Sequence, residues 1–389
     1  MKIPLSYTWR SLWTRRLTTI LTLTGISLVV FVFAAILMLA HGVETTMVDT
    51  GSEDNVIAIR KSATSELVSQ LGREASNVLK TLPEVAVSAS GKPLATTEVL
   101  VVINLHKKET DALSNVSVRG VSPEAIQLRP QVKFVEGRMV NWGTHEIAIG
   151  SSVASRFKDC EIGKSIKFMG DEWIIVGIFD AEKNAFESEI WSDVEQLMPA
   201  VGRPVFSSMT MRLTDRNQFE SLKERVQKDP RTQYLEVKRE QKFYEEQSQA
   251  LAKFIRILGI IVTFIFSIGA VIAAVITMYA AVSNRTVEIG TLRSLGFKRR
   301  SILTAFLIES IMLCIIGGVI GIGLASFMSF VRISTINFGT FSELAFGFTL
   351  SIDIIIDTMI FTIIVGIIGG FLPAIRAARL NIVNALRAS

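Results

Sequence analysis

Four long apolar stretches decide what this chain can fold into: residues 17–41, 254–282, 302–331 and 351–372. A bilayer core about 30 Å thick is crossed by about 20 helical residues. In lipid the backbone must satisfy its own hydrogen bonds, so each stretch is expected to be a helix. The first could be taken for a secretory signal, but it is too long, and Met38-Leu39-Ala40 is a poor cleavage site, so an uncleaved first membrane helix is expected. The expected fold is therefore a membrane protein with four transmembrane α-helices.

Between the first two stretches, residues 42–241 hold no spanning segment and read as a large mixed α/β domain inserted between helices 1 and 2. Strands are expected at Val56–Ile59, Val99–Leu105, Val116–Val118, Ile147–Ile149, Ile166–Phe168 and Trp173–Phe179, the last being the clearest β-branched run. Helices are expected at Ser65–Leu82, closed by Pro83, at Ser152–Arg156, and at Arg216–Val226, with Asp215 as a cap. A helix between strands at Ser65–Leu82 suggests β-α-β units. Residues 242–253 read as a stalk helix running into the second span, with Phe243, Ala250, Leu251, Phe254 and Leu258 on one face. The two cysteines, Cys160 in the domain and Cys314 in an apolar run, are not expected to pair.

Charge placement predicts the topology. The lead at 1–16 carries Arg10, Arg15 and Arg16, the segment 283–301 carries Lys298, Arg299 and Arg300, and the tail at 373–389 carries Arg376, Arg379 and Arg387. The loop at 332–350 has Arg332 as its one basic residue. Basic residues flanking spans stay inside, so both termini and 283–301 are expected in the cytoplasm, and the domain and the 332–350 loop outside. The net charge of +5 resides largely in these flanks and gives no reason to expect nucleic acid as a partner. The lead also places Leu5, Trp9, Leu12 and Trp13 on one face, as an amphipathic segment at the lipid interface does.

The segment Arg285–Ile302 has more order than a topogenic loop needs. Val287, Ile289, Leu292 and Leu295 recur at helical spacing, and Gly296 stands where a helix takes its left-handed C-cap. The string formed by Arg285, Glu288, Ile289, Gly290, Leu292, Arg293, Leu295 and Gly296 resembles the cytoplasmic coupling element of the FtsX-like/MacB-like ABC transporter permeases, in which a charged "EIG-x-LR-x-LG" helix precedes a basic run and a membrane helix. The tail from Pro373, with Ala374, Ala377, Ala378, Ala385 and Leu386, resembles the same family's C-terminal pattern. Arg119-Gly120-Val121, Glu136-Gly137-Arg138, Glu146–Gly150 and Val176-Gly177-Ile178 resemble the MacB-type extracytoplasmic core domain.

The resemblance implies a bacterial inner-membrane permease subunit, working as a dimer with a second copy or a homologue, bound to a cytoplasmic ABC ATPase and surrounded by membrane lipids. ATP would be bound by that partner, and no cofactor is expected in this chain. ATP-driven motion would pass through the coupling helix to the outer domain (mechanotransmission), for efflux with a periplasmic adaptor or for export of lipoproteins, lipids or peptides. The alternative is an FtsX-type regulator that activates envelope enzymes such as peptidoglycan hydrolases. The length of the inserted domain favours the first reading.

Other features point to no chemistry. Gly163-Lys164-Ser165 mimics the end of a phosphate-binding loop, but Lys158 stands where the first glycine belongs. His41, His106 and His145 lack metal-ligand spacing, and Asp353 and Asp357 sit at the start of the fourth span, where water and the helix N-terminus solvate them. Asn115-Val116-Ser117 fits a glycosylation sequon, which carries little meaning in a bacterial chain. No catalytic constellation is apparent, so an enzyme is not expected. Gly317, Gly321, Gly366 and Gly370 let helices approach closely, either within the chain or at a dimer seam.

Overall fold

The structure is a computed structural model and describes residues 16–337 and 339–382. The chain divides into two compact units. The helical unit takes the chain up to His41, Phe254–Val331, and everything from Phe348 onward. The sheet unit comprises Gly42–Lys253 and Arg332–Gly347. The amphipathic lead expected at 1–16 lies outside the described residues, except for Arg16, as does the tail beyond 382.

Four helices among the described residues are long and apolar enough to span a membrane, with mean hydropathies of 2.3 to 2.7. They are α1 (Arg16–Val48), α2 (Glu240–Ser283), α4 (Arg299–Ser326) and α5 (Ile352–Arg379); the short α3 (Thr286–Ser294) joins α2 to α4. Ser351 caps α5 by accepting a hydrogen bond from Ile354 N at 3.3 Å, and Asp353 and Asp357 are exposed in its first turns.

Small residues set the spacing inside the helical unit. A methyl group at Gly317 would lie 2.8 Å from Ile26 Cγ2, and one at Gly321 would lie 2.7 Å from the Ser27 carbonyl. At Gly366 it would meet Cys314 at 3.0 Å, and at Gly370 it would collide with Ser310. Gly317 and Gly321 thus seat α4 on α1, and Gly366 and Gly370 seat α5 on α4. All four are used by packing within this chain, the first of the two uses their spacing allows.

In the sheet unit, α2 supplies its first turns as far as Lys253. That helix is unbroken from Glu240 to Ser283, so residues 240–253 run straight into the second span, as expected. Phe243, Ala250, Leu251, Phe254 and Leu258 fall on one side of this helix, with Phe243 and Leu251 buried and Ala250, Phe254 and Leu258 exposed. The strands are β1 (Asn55–Arg60), β2 (Ala95–His106), β3 (Leu113–Val121), β4 (Lys133–Gly137), β5 (Glu146–Gly150), β6 (Ser165–Phe168), β7 (Asp171–Asp180), β8 (Glu189–Asp193), β9 (Ser208–Arg212), β10 (Leu235–Arg239), β11 (Arg332–Ile336) and β12 (Glu343–Gly347). One sheet runs β10-β1-β9-β2-β3-β8-β5-β7-β4, with β6 also paired to β7.

β1 and β2 both run antiparallel to β9, which lies between them, so they point the same way. The helix that connects them covers only Arg73–Lys80, not Ser65–Leu82. Ser65, Glu66 and Ser69 are buried, and two of them spend their polar groups on the sheet: Ser69 Oγ accepts from Arg60 N at 2.9 Å, and Glu66 pairs with Arg119. The helix expected from Arg216 begins as a 3₁₀ turn, with Asp215 accepting from Asn217 N, and continues as Phe219–Lys228. Gly163 takes φ +85° in a turn that leads into β6, a strand where a phosphate-binding loop needs a helix.

The sheet buries charges as well as apolar side chains. Arg119 pairs with Glu66 at 2.8 Å, Glu98 at 2.5 Å and Glu189 at 2.7 Å, and Arg129 Nη2 lies 2.7 Å from Glu98 Oε1. Arg129 also rests on the Phe186 ring, 4.5 Å from its centroid. Burial pushes the Glu98 carboxyl above its ordinary range, and Arg129 and Arg119 recover only part of that shift. Burial also opposes ionisation of Glu66, but the charge and hydrogen bonds of Arg119 outweigh it and hold that carboxyl low.

Arg332 to Leu350 reads as a loop in the sequence, yet most of it is a β-hairpin. β11 and β12 pair antiparallel from Arg332↔Gly347 to Ile336↔Glu343.

Candidate functional site

Arg285 precedes α3, and its side chain is only 8% exposed. Its Nη1 lies 3.0 Å from Glu309 Oε2 of α4, itself 7% exposed. Glu288, the partner expected one turn along the same helix, is farther, at 3.8 Å from Arg285 Nε, and is 57% exposed. The tighter partner of Arg285 is thus Glu309, an acid inside an apolar run that sequence reading passes over.

Ile289 is buried among Met278 and Val282 of α2, Ile302 and Phe306 of α4, and Ala374 and Ala377 of α5. Complete burial of such a side chain stabilises by about 1.5–3 kcal/mol, so Ile289 is the main apolar anchor of α3. Gly290 is buried beside it, and Leu292 is half-buried. Arg293 donates from Nη1 to the Ala378 carbonyl at 3.4 Å, in the last turn of α5, where a cation complements the carbonyl end of the helix. Arg376 in that same turn lies over the Tyr279 ring of α2, 5.2 Å from its centroid. A short helix is thereby fastened to three spans.

The end of α3 is closed in the manner its sequence predicts. Phe297 N donates to Leu292 O and Gly296 N to Arg293 O, both at 3.1 Å, with Gly296 at φ +93°. This is a Schellman closure, which needs a left-handed residue at that one position. A methyl at Gly296 would meet nothing within 4 Å, so the glycine is required by conformation and not by space.

Of the predicted residues, Arg285, Ile289 and Gly290 face inward, Leu292 and Arg293 sit at the boundary, and Glu288, Leu295 and Gly296 face out. Val287, Glu288, Thr291 and Ser294 of α3 are exposed, as are Leu295, Lys298, Arg299 and Arg300 after it. Leu295 is 65% exposed, an apolar residue set among polar and basic neighbours. The arrangement offers a rigid, partly apolar, basic-edged strip whose position is tied to three spans. No group of three or more potential metal-ligating side chains occurs among the described residues.

Comparison with known proteins bears on what such a strip serves. Residues 19–229 match the MacB-like periplasmic core domain family, and residues 260–382 match the FtsX-like permease C-terminal family. The ABC transporter permease YvrN of Bacillus subtilis, itself uncharacterized, is 32% identical over 302 residues, covering 71% of each chain. The macrolide export ATP-binding/permease protein MacB of Hahella chejuensis is 25% identical over 403 residues, covering 97% of this chain and 59% of that one. The chain thus spans about three fifths of that relative's length. Among solved structures, the periplasmic region of MacB from Actinobacillus actinomycetemcomitans aligns with a TM-score of 0.39 and 12% identity, over 50% of this chain and 92% of that one. The two family matches and the likeness to YvrN show that this chain belongs to the MacB/FtsX-type ABC transporter permeases.

Proposed function

We propose that this chain is the membrane subunit through which a cytoplasmic ABC ATPase moves an extracytoplasmic domain, in the cell (inner) membrane with both termini inside. ATP is bound by the separate subunit, which docks on the exposed face of α3 and the basic cluster after it. Closure of the ATPase pair pushes α3, and Arg285, Ile289 and Arg293 pass that displacement to α4, α2 and α5. The sheet unit, outside, is the moved part, and two such permeases share one ATPase pair.

The observation that carries this reading is the division of α3 into an inward face tied to three spans and an outward face left exposed. A topogenic loop needs only the basic residues. Export is favoured over activation of envelope enzymes because the family match of the region between the first two spans is to the MacB-like core domain. The cargo class proposed is an efflux substrate, or a lipoprotein, lipid or peptide handled on the outer side, with a periplasmic adaptor in the efflux case.

A photo-crosslinking amino acid at Leu295 tests the docking. It is expected to capture an ABC ATP-binding protein in intact cells, while the same group at Ser90, exposed in the sheet unit, captures none. Capture of no ATP-binding protein from Leu295, at normal membrane levels of the permease, would refute the docking.

A further inference from the structure

The β11–β12 hairpin is the whole connection between α4 and α5 apart from short links, and it belongs to the sheet unit. It is held there by charge. Glu343, whose side chain is 5% exposed, accepts from Ser114 Oγ of β3 at 2.6 Å, lies 2.8 Å from Lys107 Nζ, and pairs with Arg156. Ser117 Oγ of β3 donates to Ser342 Oγ at 2.7 Å, and Asn115 Nδ2 to the Phe341 carbonyl at 2.7 Å. On β11 Arg332 donates to the buried Glu187 at 3.0 Å, and on β12 Ala345 N donates to Ser188 Oγ at 3.1 Å. Leu344 and Phe346 are buried as well.

A connection that served only to join two spans would have no use for a buried carboxylate facing two cations. Burying a charge is costly unless it is paired and hydrogen-bonded, and truncating one member of such a pair strands the others. The hairpin is therefore fixed to β3 far more firmly than a surface turn.

We propose that Glu343 is a positioning residue of a second lever, through which displacement of α4 and α5 reaches the sheet unit at β3 independently of α2. This rests on the reading of the chain as a mechanical transmitter. Glu343 holds the hairpin on β3 throughout the cycle, so the sheet unit is driven at two places: at the start of α2, which the hairpin turn also meets where Gly339 lies against Gln247, and at β3 through the hairpin strands.

The test uses the full-length protein in nanodiscs with the ATPase subunit it binds, followed by hydrogen exchange with and without ATP and vanadate. In the wild type, ATP is expected to change exchange both in residues 240–253 and in β2–β3. Glu343→Gln is expected to raise hairpin exchange at least tenfold and to abolish the response of β2–β3, while the response of 240–253 persists. Adding Ser117→Cys and Ser342→Cys, whose parent oxygens touch at 2.7 Å, is expected to restore the β2–β3 response when oxidised and to lose it again with reductant. That rescue separates a lever from a fold defect.

A β2–β3 response that survives Glu343→Gln, or a disulfide that restores hairpin protection without restoring the response, overturns the lever alone. A wild type in which residues 240–253 do not respond to ATP overturns the transmission reading and the lever with it.

Discussion

The ion pair between Arg285 and Glu309 gives the sharpest test of how α3 is held. The two side chains are 8% and 7% exposed and 3.0 Å apart, so solvent screens the pair little. Replacing Glu309 with Gln leaves the buried guanidinium facing an uncharged amide, with the exposed Glu288 at 3.8 Å as its more distant carboxylate. Breaking a buried pair in this way costs about 3–5 kcal/mol, whereas replacing both members with apolar residues of similar volume is often neutral or better. For a unit of this size each kcal/mol moves the melting temperature by about 2–4 °C, which gives roughly 6–20 °C for Glu309→Gln. Arg285→Met with Glu309→Leu is expected to recover most of that loss. The chain carries its own reporter, because Cys314 is fully buried in α4 and becomes the sole thiol once Cys160 is replaced by Ala. A thiol-reactive fluorophore then follows opening of the helical unit on heating. A shift below about 2 °C for Glu309→Gln, or a double variant as unstable as the single one, would show that the pair does not hold α3.

Three further outcomes are expected. Gly321→Val places a side chain against Val30 and the Ser27 carbonyl, and overpacking of this kind costs about 1–3 kcal/mol, readable in the same melting assay. Glu98 is raised by burial above its unfolded value of about 4.3, so the folded state binds more protons and stability falls as pH rises through the window above that value; the stability of wild type minus that of Glu98→Gln is therefore expected to decrease with pH, measured by urea unfolding followed through the buried Trp191. For topology, cysteines at the exposed positions Ser90 and Phe341 are expected to react with an impermeant thiol reagent in spheroplasts, and one at the exposed Ser294 is not; native Cys160, its thiol pushed up to about 11 by burial, stays silent as a control.

The spans were legible because apolar length leaves few alternatives in a bilayer. The closure of α3 at Gly296 was legible for a comparable reason, since a left-handed residue after a periodic run has a local signature. The sheet was only half legible. Val56–Ile59, Val99–Leu105 and Trp173–Phe179 show their strands through apolar runs, but β8 and β9 bury Glu189, Ser192, Ser208 and Thr210, and buried polar residues mimic surface ones in sequence. Glu66 misleads in the same way, reading as helical surface while serving Arg119. The hairpin at 332–347 was hidden by its Ser, Thr, Asn and Gly content, which suits a loop as well as a strand. Glu309 could have been found, as an acid inside an otherwise uncharged part of a span and therefore in need of a partner.

The central claim is that ATP binding on one side of the membrane moves the sheet unit on the other. It is tested most directly by hydrogen exchange of residues 240–253 in the nanodisc complex, comparing nucleotide-free and ATP–vanadate states in wild type and Glu288→Lys. Glu288 is exposed on the proposed docking face, and reversing its charge leaves the spans intact. A clear ATP-dependent change is expected in the wild type and is expected to be lost in Glu288→Lys at unchanged membrane levels. The same exchange with and without nucleotide in the wild type, or an undiminished response in Glu288→Lys, would contradict it.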